Sequence, residues 1–304
     1  MNNLDFHIPV MLNEVLEFLK PQDNELFIDC TFGAGGYTKG ILEKANCKVI
    51  GIDRDSSVNK FVENIQSIFK DRFEFHNIKY SEVLSILNNR KVDGIVLDIG
   101  VSSMQIDNTN RGFSFQKDAK LDMRMGNDKI SAYDIVNNNT EKELADIIYY
   151  YGDEVKSRQI AKKIVEIRKE KPIETTFELA NIVREIYNNK KGKIDPATKT
   201  FQAIRIAVNN ELEELKNILE ISKSILKKGG RLVVVSFHSL EDKIVKTFMK
   251  QESNSGKKKD KYSTQDTINS CFNLLTKDAV VPTEKEIINN VRARSAKLRA
   301  VIKC

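Results

Sequence analysis

The chain has 304 residues, 40% of them apolar and 30% charged, and its 49 basic and 43 acidic side chains leave a formal net charge of +6. That length supplies core for one large domain or two modest ones. No run approaches about 18 uncharged apolar residues and the N-terminus Met1-Asn-Asn-Leu-Asp5 lacks a basic region leading into an apolar one, which argues against a membrane span and a secretory signal and for a cytoplasmic protein.

In chain order, His7 to Pro21 carries Val10, Leu12, Val15, Leu16 and Leu19 at helical spacing, and Pro21 stops that helix. A short apolar strand over 26–30 then runs into Gly33, Gly35 and Gly36, after which a helix can start. Glycines let backbone approach a bound molecule where a Cβ would collide, and Asp53, 17 residues beyond Gly36 at the end of the next strand, can accept from ribose hydroxyls. This pattern predicts a nucleoside-cofactor site. The dinucleotide fingerprint needs a further glycine where Thr38 stands, and no Gly-Lys-Ser/Thr phosphate loop follows. The spacing instead suits S-adenosyl-L-methionine, which has a ribose, an adenine and a zwitterionic methionyl tail but no phosphate. The bland alternative is a plain strand-to-helix turn.

Strands and helices continue to alternate: a strand over 49–53, a helix over 57–69, a strand over 73–76, a helix near 81–87 and a strand over 94–98. Near-continuous apolar strands in βαβ order predict an α/β fold with a mostly parallel sheet covered on both faces. After Asp98 the pattern becomes irregular and then helical to about Asn189, with capping boxes at Thr140-x-x-Glu143 and Thr175-x-x-Glu178 and a helix stop at Gly152. This predicts an inserted all-helical domain over 107–204 between the two parts, 1–106 and 205–304, of one α/β domain. A basic loop over 190–199 leads back to one long helix from Phe201, ended by Gly229 and Gly230. A strand over 231–238, a helix from Ser239, a polar lysine-rich loop over 251–267 and two strands near 272–276 and 296–302 complete the chain.

In open α/β sheets ligands bind beyond the carboxyl ends of the strands, which brings Asp29, Asp53, Tyr80, Asp98 and His238 toward one crevice. Tyr80 suits stacking on adenine or a place in the core. Asp98 either accepts the positive charge that develops on an exocyclic base amine as a methyl group arrives, or holds the cofactor's amino group. No cysteine stands at the end of the fourth or fifth strand, so transfer to nitrogen or oxygen is favoured over covalent attack at a pyrimidine. Arg111, Arg124, Lys199, Arg205, Arg292 and Arg294 are candidates to grip phosphates, each with a solvated surface charge as its alternative. His238 is a candidate substrate contact, and Ser239 is read as the cap of the following helix with Asp242. Cys30, Cys47, Cys271 and Cys304 are scattered, so no metal site is expected.

Segments along nearly the whole chain resemble the bacterial small-subunit ribosomal RNA cytosine-N4 methyltransferases. These are His7-x-Pro-Val-Met-Leu-x-Glu14, Asp29-x-Thr-Phe-Gly-x-Gly-Gly36, Asp53-Arg-Asp55, Asp93-Gly-Ile-Val-Leu-Asp98-x-Gly-Val-Ser-Ser-x-Gln105 and Arg111-Gly-Phe-Ser-Phe115. Further on stand Leu121-Asp-Met-Arg-Met125, Tyr151-Gly-Asp-Glu154, Pro196-Ala-Thr-x-Thr-Phe-Gln-Ala203, Ser236-Phe-His-Ser-Leu-Glu-Asp242 and Arg292-Ala-Arg-Ser-Ala296. The resemblance implies a class I S-adenosylmethionine-dependent methyltransferase, Rossmann-like, that methylates N4 of a cytidine in the decoding region of 16S ribosomal RNA, with the small ribosomal subunit as partner. It carries cofactor contacts onto Gly35, Gly36, Tyr37, Asp53, Tyr80, Asp98 and Gln105. Tyr37 stands where a histidine is common in the family, and Ala207 where some members have tryptophan. A non-catalytic RNA-binding assembly factor and a nicotinamide dehydrogenase are the rival classes.

Overall fold

The computed structural model describes residues 9–189, 192, 194–253 and 270–304. His7, three lysines of the basic loop (Lys190, Lys191 and Lys193) and most of the lysine-rich segment expected over 251–267 lie outside the described residues. The chain forms two units, one from the residues up to Gly100 together with Leu212–Cys304, the other Val101–Glu211.

The first unit begins with α1 (Leu12–Leu19), β1 (Leu26–Asp29), α2 (Gly36–Lys44), β2 (Lys48–Ile52), α3 (Asn59–Phe69), β3 (Phe73–His76), α4 (Leu84–Leu87) and β4 (Val92–Asp98). The second unit carries α5 (Ser103–Asp107), α6 (Ala132–Asn138), α7 (Glu141–Gly152), α8 (Ser157–Arg168), α9 (Thr176–Ile186) and α10 (Ala197–Asn209). The chain then returns through α11 (Glu211–Ile225), β5 (Leu226–Ser236), α12 (Ser239–Glu252), β6 (Phe272–Leu274), α13 (Glu284–Asn289) and β7 (Lys297–Lys303).

The seven strands form one sheet in the order β3-β2-β1-β4-β5-β7-β6. Every neighbouring pair up to β5 is parallel, and β7 runs antiparallel to both β5 and β6. The mostly parallel sheet of the class I methyltransferase fold is therefore present. Chain order reverses direction across the sheet between β1 and β4, and this switch point opens a crevice at the strands' carboxyl ends. Ile28, Ile50, Ile95, Leu97 and Leu232 pack one face of the sheet against Leu215, Ile218 and Leu219 of α11 and Val245 and Phe248 of α12. On β4 only Asp93 and Asp98 are not buried, as a strand covered on both faces requires. Asp93 ties the opposite end together: its Oδ2 accepts from Leu26 N at 2.9 Å and from Lys227 Nζ at 2.8 Å.

The second unit has its own core, in which Leu144, Ile148, Ile160, Ile164, Leu179, Val183, Phe201 and Ile204 are fully or almost fully buried. Each such side chain contributes about 1.5–3 kcal/mol relative to an exposed one. Both expected capping boxes are formed, Thr140 with Glu143 and Thr175 with Glu178.

Two local expectations are corrected, and a third is met for a different reason. The helix α7 does stop at Gly152, its last residue, but Asp153 takes the left-handed position at φ 51°. A Cβ on Gly152 would lie 2.5 Å from the Lys199 carbonyl oxygen, so the glycine is required by the close approach of α10. The single long helix from Phe201 is two helices, broken at Asn210 in the left-handed region at φ 52°, which asparagine tolerates. Gly229 and Gly230 do not end that helix either, since β5 already starts at Leu226 and contains them, Gly229 at φ 81°.

Candidate active site

The carboxyl end of β1 delivers Asp29 into the interior, where its charge is disfavoured unless donors surround it. Three do: Thr31 N at 3.2 Å on Oδ1, and Thr38 N at 3.1 Å and Thr38 Oγ1 at 2.7 Å on Oδ2. Burial still dominates those bonds and raises the Asp29 carboxyl to about 6. Asp29 thereby clamps the first turn of α2 to the end of β1, and Thr38, which displaced the dinucleotide fingerprint, is a fully buried partner in that clamp.

Between them the chain turns through glycines for three different reasons. Gly35 precedes α2 in the left-handed region at φ 78°, and its Cβ would meet the Phe32 ring at 3.0 Å. Gly36 is required by Pro9, whose Cβ would lie 2.8 Å from an added Cβ. Gly33, at φ 52°, has only the Thr31 carbonyl oxygen within 4 Å of such a Cβ, at 3.8 Å, so of the three it alone leaves room for one. Its N–H donates to Asp53 Oδ2 at 2.8 Å.

Asp53, just past β2, is fixed on both oxygens by backbone, with Asp55 N donating to Oδ1 at 2.9 Å. Each carboxylate oxygen keeps acceptor capacity beyond one such bond. Burial, against these two bonds, raises Asp53 to about 6. The Asn77 side chain donates to the Asp53 carbonyl at 2.8 Å and so closes β3's end onto β2's. Tyr80, a half-buried residue opening a 3₁₀ turn at Tyr80–Glu82, packs against the apolar cluster on one face of the sheet. The Tyr37 side chain is buried, with Oη donating to the Val10 carbonyl at 2.5 Å; burial first, then the charges of Asp98 and Asp29, push its hydroxyl well above the usual range.

At the end of β4, Asp98 N donates to Thr31 Oγ1 at 2.7 Å, linking β4 to the turn after β1 across the switch point. The Asp98 carboxylate differs from its neighbours: Oδ1 is buried and has no hydrogen-bond partner. Burial first, then the charges of Asp29 and Glu241, raise this carboxyl to about 8. Such an acid at a strand end calls for a donor that the protein does not supply.

Glu241 was not foreseen from the sequence. Fully buried at the start of α12, it accepts from Phe237 N at 3.0 Å and His238 N at 3.3 Å, and its Oε1 lies 2.9 Å from His238 Nε2. This corrects the expected cap: His238 occupies the N-cap position with Glu241 three residues on, and Ser239 is already helical. The three-residue spacing from His238 to Glu241 was the available signal. Asp242, freed from capping, pairs with Arg299 at 2.7 Å and Lys297 at 3.4 Å, the two cations that alternation puts on one face of β7.

In the helical unit, Gln105 is buried and its Oε1 accepts from Ser102 N at 2.9 Å, completing a capping box for α5. The basic candidates there have protein partners. Arg111 donates to the Arg124 and Met125 carbonyls at 2.7 and 3.1 Å, and Arg124 grips Asp122 through Nε and Nη2, both at 2.7 Å. Arg205 grips Glu211 at 2.8 and 2.9 Å, and Lys199 Nζ donates to the Asp153 carbonyl at 2.7 Å. In the α/β unit, Arg292 and Arg294 are exposed in the 3₁₀ segment Val291–Ser295. Among the described residues there is no cluster of metal-ligating side chains and no helix long and apolar enough to cross a membrane.

The sequence profile of the MraW methylase family matches residues 5–304. A protein of Rickettsia bellii (strain RML369-C) named ribosomal RNA small subunit methyltransferase H is 55% identical over 300 residues, 98% of each chain. A protein of the same name from Rickettsia massiliae (strain Mtu5) is 56% identical over 297 residues, 97% of each chain.

Proposed function

The chain belongs to the MraW methylase family, and from that premise we propose that it transfers a methyl group from S-adenosylmethionine to N4 of a cytidine in the decoding region of 16S ribosomal RNA. The names of its relatives support a ribosomal RNA substrate from the small subunit. The protein then works in the cytoplasm, on the small ribosomal subunit.

The observation that carries this reading is the Asp98 carboxylate at the switch point, whose Oδ1 is buried and lacks a donor. A ligand that brings an N–H group there fits, and both the cofactor's ammonium and a cytosine N4 amine bring one. Asp53, with acceptor capacity left on two backbone-anchored oxygens, fits the ribose hydroxyls. When bound, the cofactor supplies a methyl group on a sulfonium centre.

The chain's own task is then to hold acceptors where positive charge stands. N4 is a weak nucleophile because its lone pair is delocalised into the ring, and it gains positive charge as it attacks. A carboxylate already fixed in a water-poor site stabilises that charge without reorganising. Aligning N4 with the methyl group removes most of the entropy of encounter. A cytidine presented this way must leave its stack, and single-stranded or distorted RNA gives it up most cheaply.

The test is nucleoside mass spectrometry of 16S ribosomal RNA from cells with and without the protein, followed by transfer assays with the purified chain and the Asp98→Asn variant. Loss of N4-methylcytidine without the protein and restoration by the native chain alone is the expected result. An unchanged nucleoside profile overturns the assignment.

A further inference from the structure

The peptide group that joins Val10 to Met11 is gripped at both ends by side chains of the α/β unit. Its carbonyl oxygen accepts from Tyr37 Oη of α2 at 2.5 Å, and its N–H donates to Glu286 Oε1 of α13 at 2.5 Å. Met11 stands in the left-handed region at φ 52°, which a residue with a Cβ disfavours. Turning the peptide plane over would return that φ to negative values, but it would exchange the carbonyl with the N–H and break both bonds. No side chain caps the start of α1 here, so no local motif fixes how the chain enters that helix. On either side of the peptide the chain seats on α2. Pro9 packs on Gly36, and Leu12 packs on Gly40 one turn later, where an added Cβ would lie 2.9 Å from Leu12 Cδ1. Residues 9–11 are thus a strap across the turn where α2 begins.

We propose that Tyr37 and Glu286 are positioning residues for the cofactor site: by gripping the Val10–Met11 peptide in its disfavoured orientation, they hold Pro9 on the glycine turn and keep that turn shaped for S-adenosylmethionine. This role rests on the reading that the turn and Asp53 receive the cofactor. The Tyr37 side chain then acts through Val10 rather than on the cofactor itself. Two bonds to one amide strengthen each other, because a partner on the N–H polarises the carbonyl toward its own donor. Breaking either lets the plane turn over and takes the other bond with it. Glu286 reaches Met11 from 275 positions along the chain, out of the first turn of α13, which Thr283 caps. The strap is therefore set by the last part of the chain as much as by α2. The Tyr37 hydroxyl also lies in the field of Asp98 and Asp29, yet it donates to Val10, and Asp98 Oδ1 stays without a partner. Spent on the strap, this proton leaves Asp98 open to a ligand's donor.

S-adenosylmethionine is titrated calorimetrically into the full-length chain and into Tyr37→Phe, Glu286→Ala, Glu286→Gln and the double variant Tyr37→Phe/Glu286→Ala, with melting temperatures as a check of the fold. Tyr37→Phe and Glu286→Ala are each expected to weaken binding by about tenfold, within the range usual for coupling between separate sites. The double variant is expected to bind no more weakly than the weaker single one, since the first substitution has already released the peptide. Glu286→Gln, which keeps an oxygen for the Met11 N–H, is expected to bind as the native chain does. In transfer assays Glu286→Ala raises the cofactor KM and leaves the rate at saturating cofactor unchanged. Losses that multiply in the double variant, or native affinity in either single one, overturn the proposal. Asp53→Asn, titrated alongside, separates the two levels. If it binds weakly while Tyr37→Phe and Glu286→Ala bind as the native chain does, only the grip on the strap fails; if all three bind as the native chain does, the reading of the cofactor site fails as well.

Discussion

Asp29 and Asp98, at the ends of adjacent parallel strands on either side of the switch point, share a site but not a condition. Asp29 receives three donors from the chain and rises only to about 6, whereas Asp98 Oδ1 receives none and the carboxyl rises to about 8. An acid whose folded-state value exceeds its unfolded one holds its proton in the fold longer than in the unfolded chain. Its stabilising share is complete below about 4, the unfolded value, and is lost as pH rises through about 8. Without ligand, the protein is therefore expected to lose stability across that window. Asp98→Asn removes the slope and raises the melting temperature at pH 8. Thermal melts of both proteins from pH 5 to pH 9 check this, and parallel curves would refute the burial of that charge.

Ligand binding runs the same linkage in reverse. If the cofactor's ammonium is the donor that meets Asp98, the ionised form is favoured, so cofactor binding near pH 7 releases about one proton from Asp98. Affinity for S-adenosylmethionine is expected to rise between pH 6 and pH 8 by up to about tenfold per unit and then level off. Calorimetry in two buffers of different ionisation enthalpy counts the proton. Asp98→Asn, with nothing to ionise, must lack this component, and a variant that releases as many protons as the native chain removes Asp98 from the account.

Asp53 carries two loads that one substitution separates. In Asp53→Ala the ribose acceptor disappears, and the Gly33 and Asp55 N–H groups lose their acceptor as well. Each buried donor left unsatisfied costs about 1–3 kcal/mol. Both a lower melting temperature and at least a tenfold weaker cofactor affinity are expected. Asp53→Asn keeps one acceptor oxygen for the backbone and is expected to restore much of the stability while affinity remains low. Equal recovery of both would mean that Asp53 only supports the turn.

The sheet was legible because buried parallel strands are continuous apolar runs: 73–76 was read with its observed bounds, and 94–98 lies inside the observed Val92–Asp98. Ends set by contacts across the chain were not. Nothing local announces that Gly152 is needed by the Lys199 carbonyl, or Gly36 by Pro9. The glycine turn was read as clearance for a ligand; packing gives Gly35 and Gly36 a further reason to be glycine, and of the three only Gly33 leaves room for a Cβ. Asp98 was legible as a strand-end acid, but its missing donor was not, because that depends on what Thr38 and Thr31 give to Asp29 instead. Likewise nothing local in the sequence announces that two of the arginines read as phosphate grips pair with Asp122 and Glu211.

Gly152→Ala sets two effects of opposite sign against each other. Alanine is favoured over glycine in a helix by about 1 kcal/mol. Against that, the new Cβ would lie 2.5 Å from a backbone oxygen of Lys199 and 3.2 Å from the Ala203 Cβ, neither of which can swing aside. Overpacking of this kind costs about 1–3 kcal/mol, so net destabilisation of the helical unit is expected, seen as faster amide exchange in α7 and α10. Slower exchange there would show that the helices separate freely.

Arg205 and Arg294 distinguish structural from RNA-binding cations. Arg205 makes a two-pronged pair with the almost fully buried Glu211, and removing one partner of a buried pair costs about 3–5 kcal/mol. Arg205→Ala is thus expected to unfold the helical unit at lower denaturant without changing how RNA affinity depends on salt. Arg294 is exposed, and its loss should leave the melting temperature alone. If it neutralises a phosphate, Arg294→Ala lowers the slope of log affinity against log salt by about 0.7, the value for one contact on a single strand. Titrations of single-stranded ribosomal RNA fragments at four salt concentrations read that slope directly. An unchanged slope makes Arg294 a solvated surface charge, and the RNA contact must then be sought among the other cations of the α/β unit.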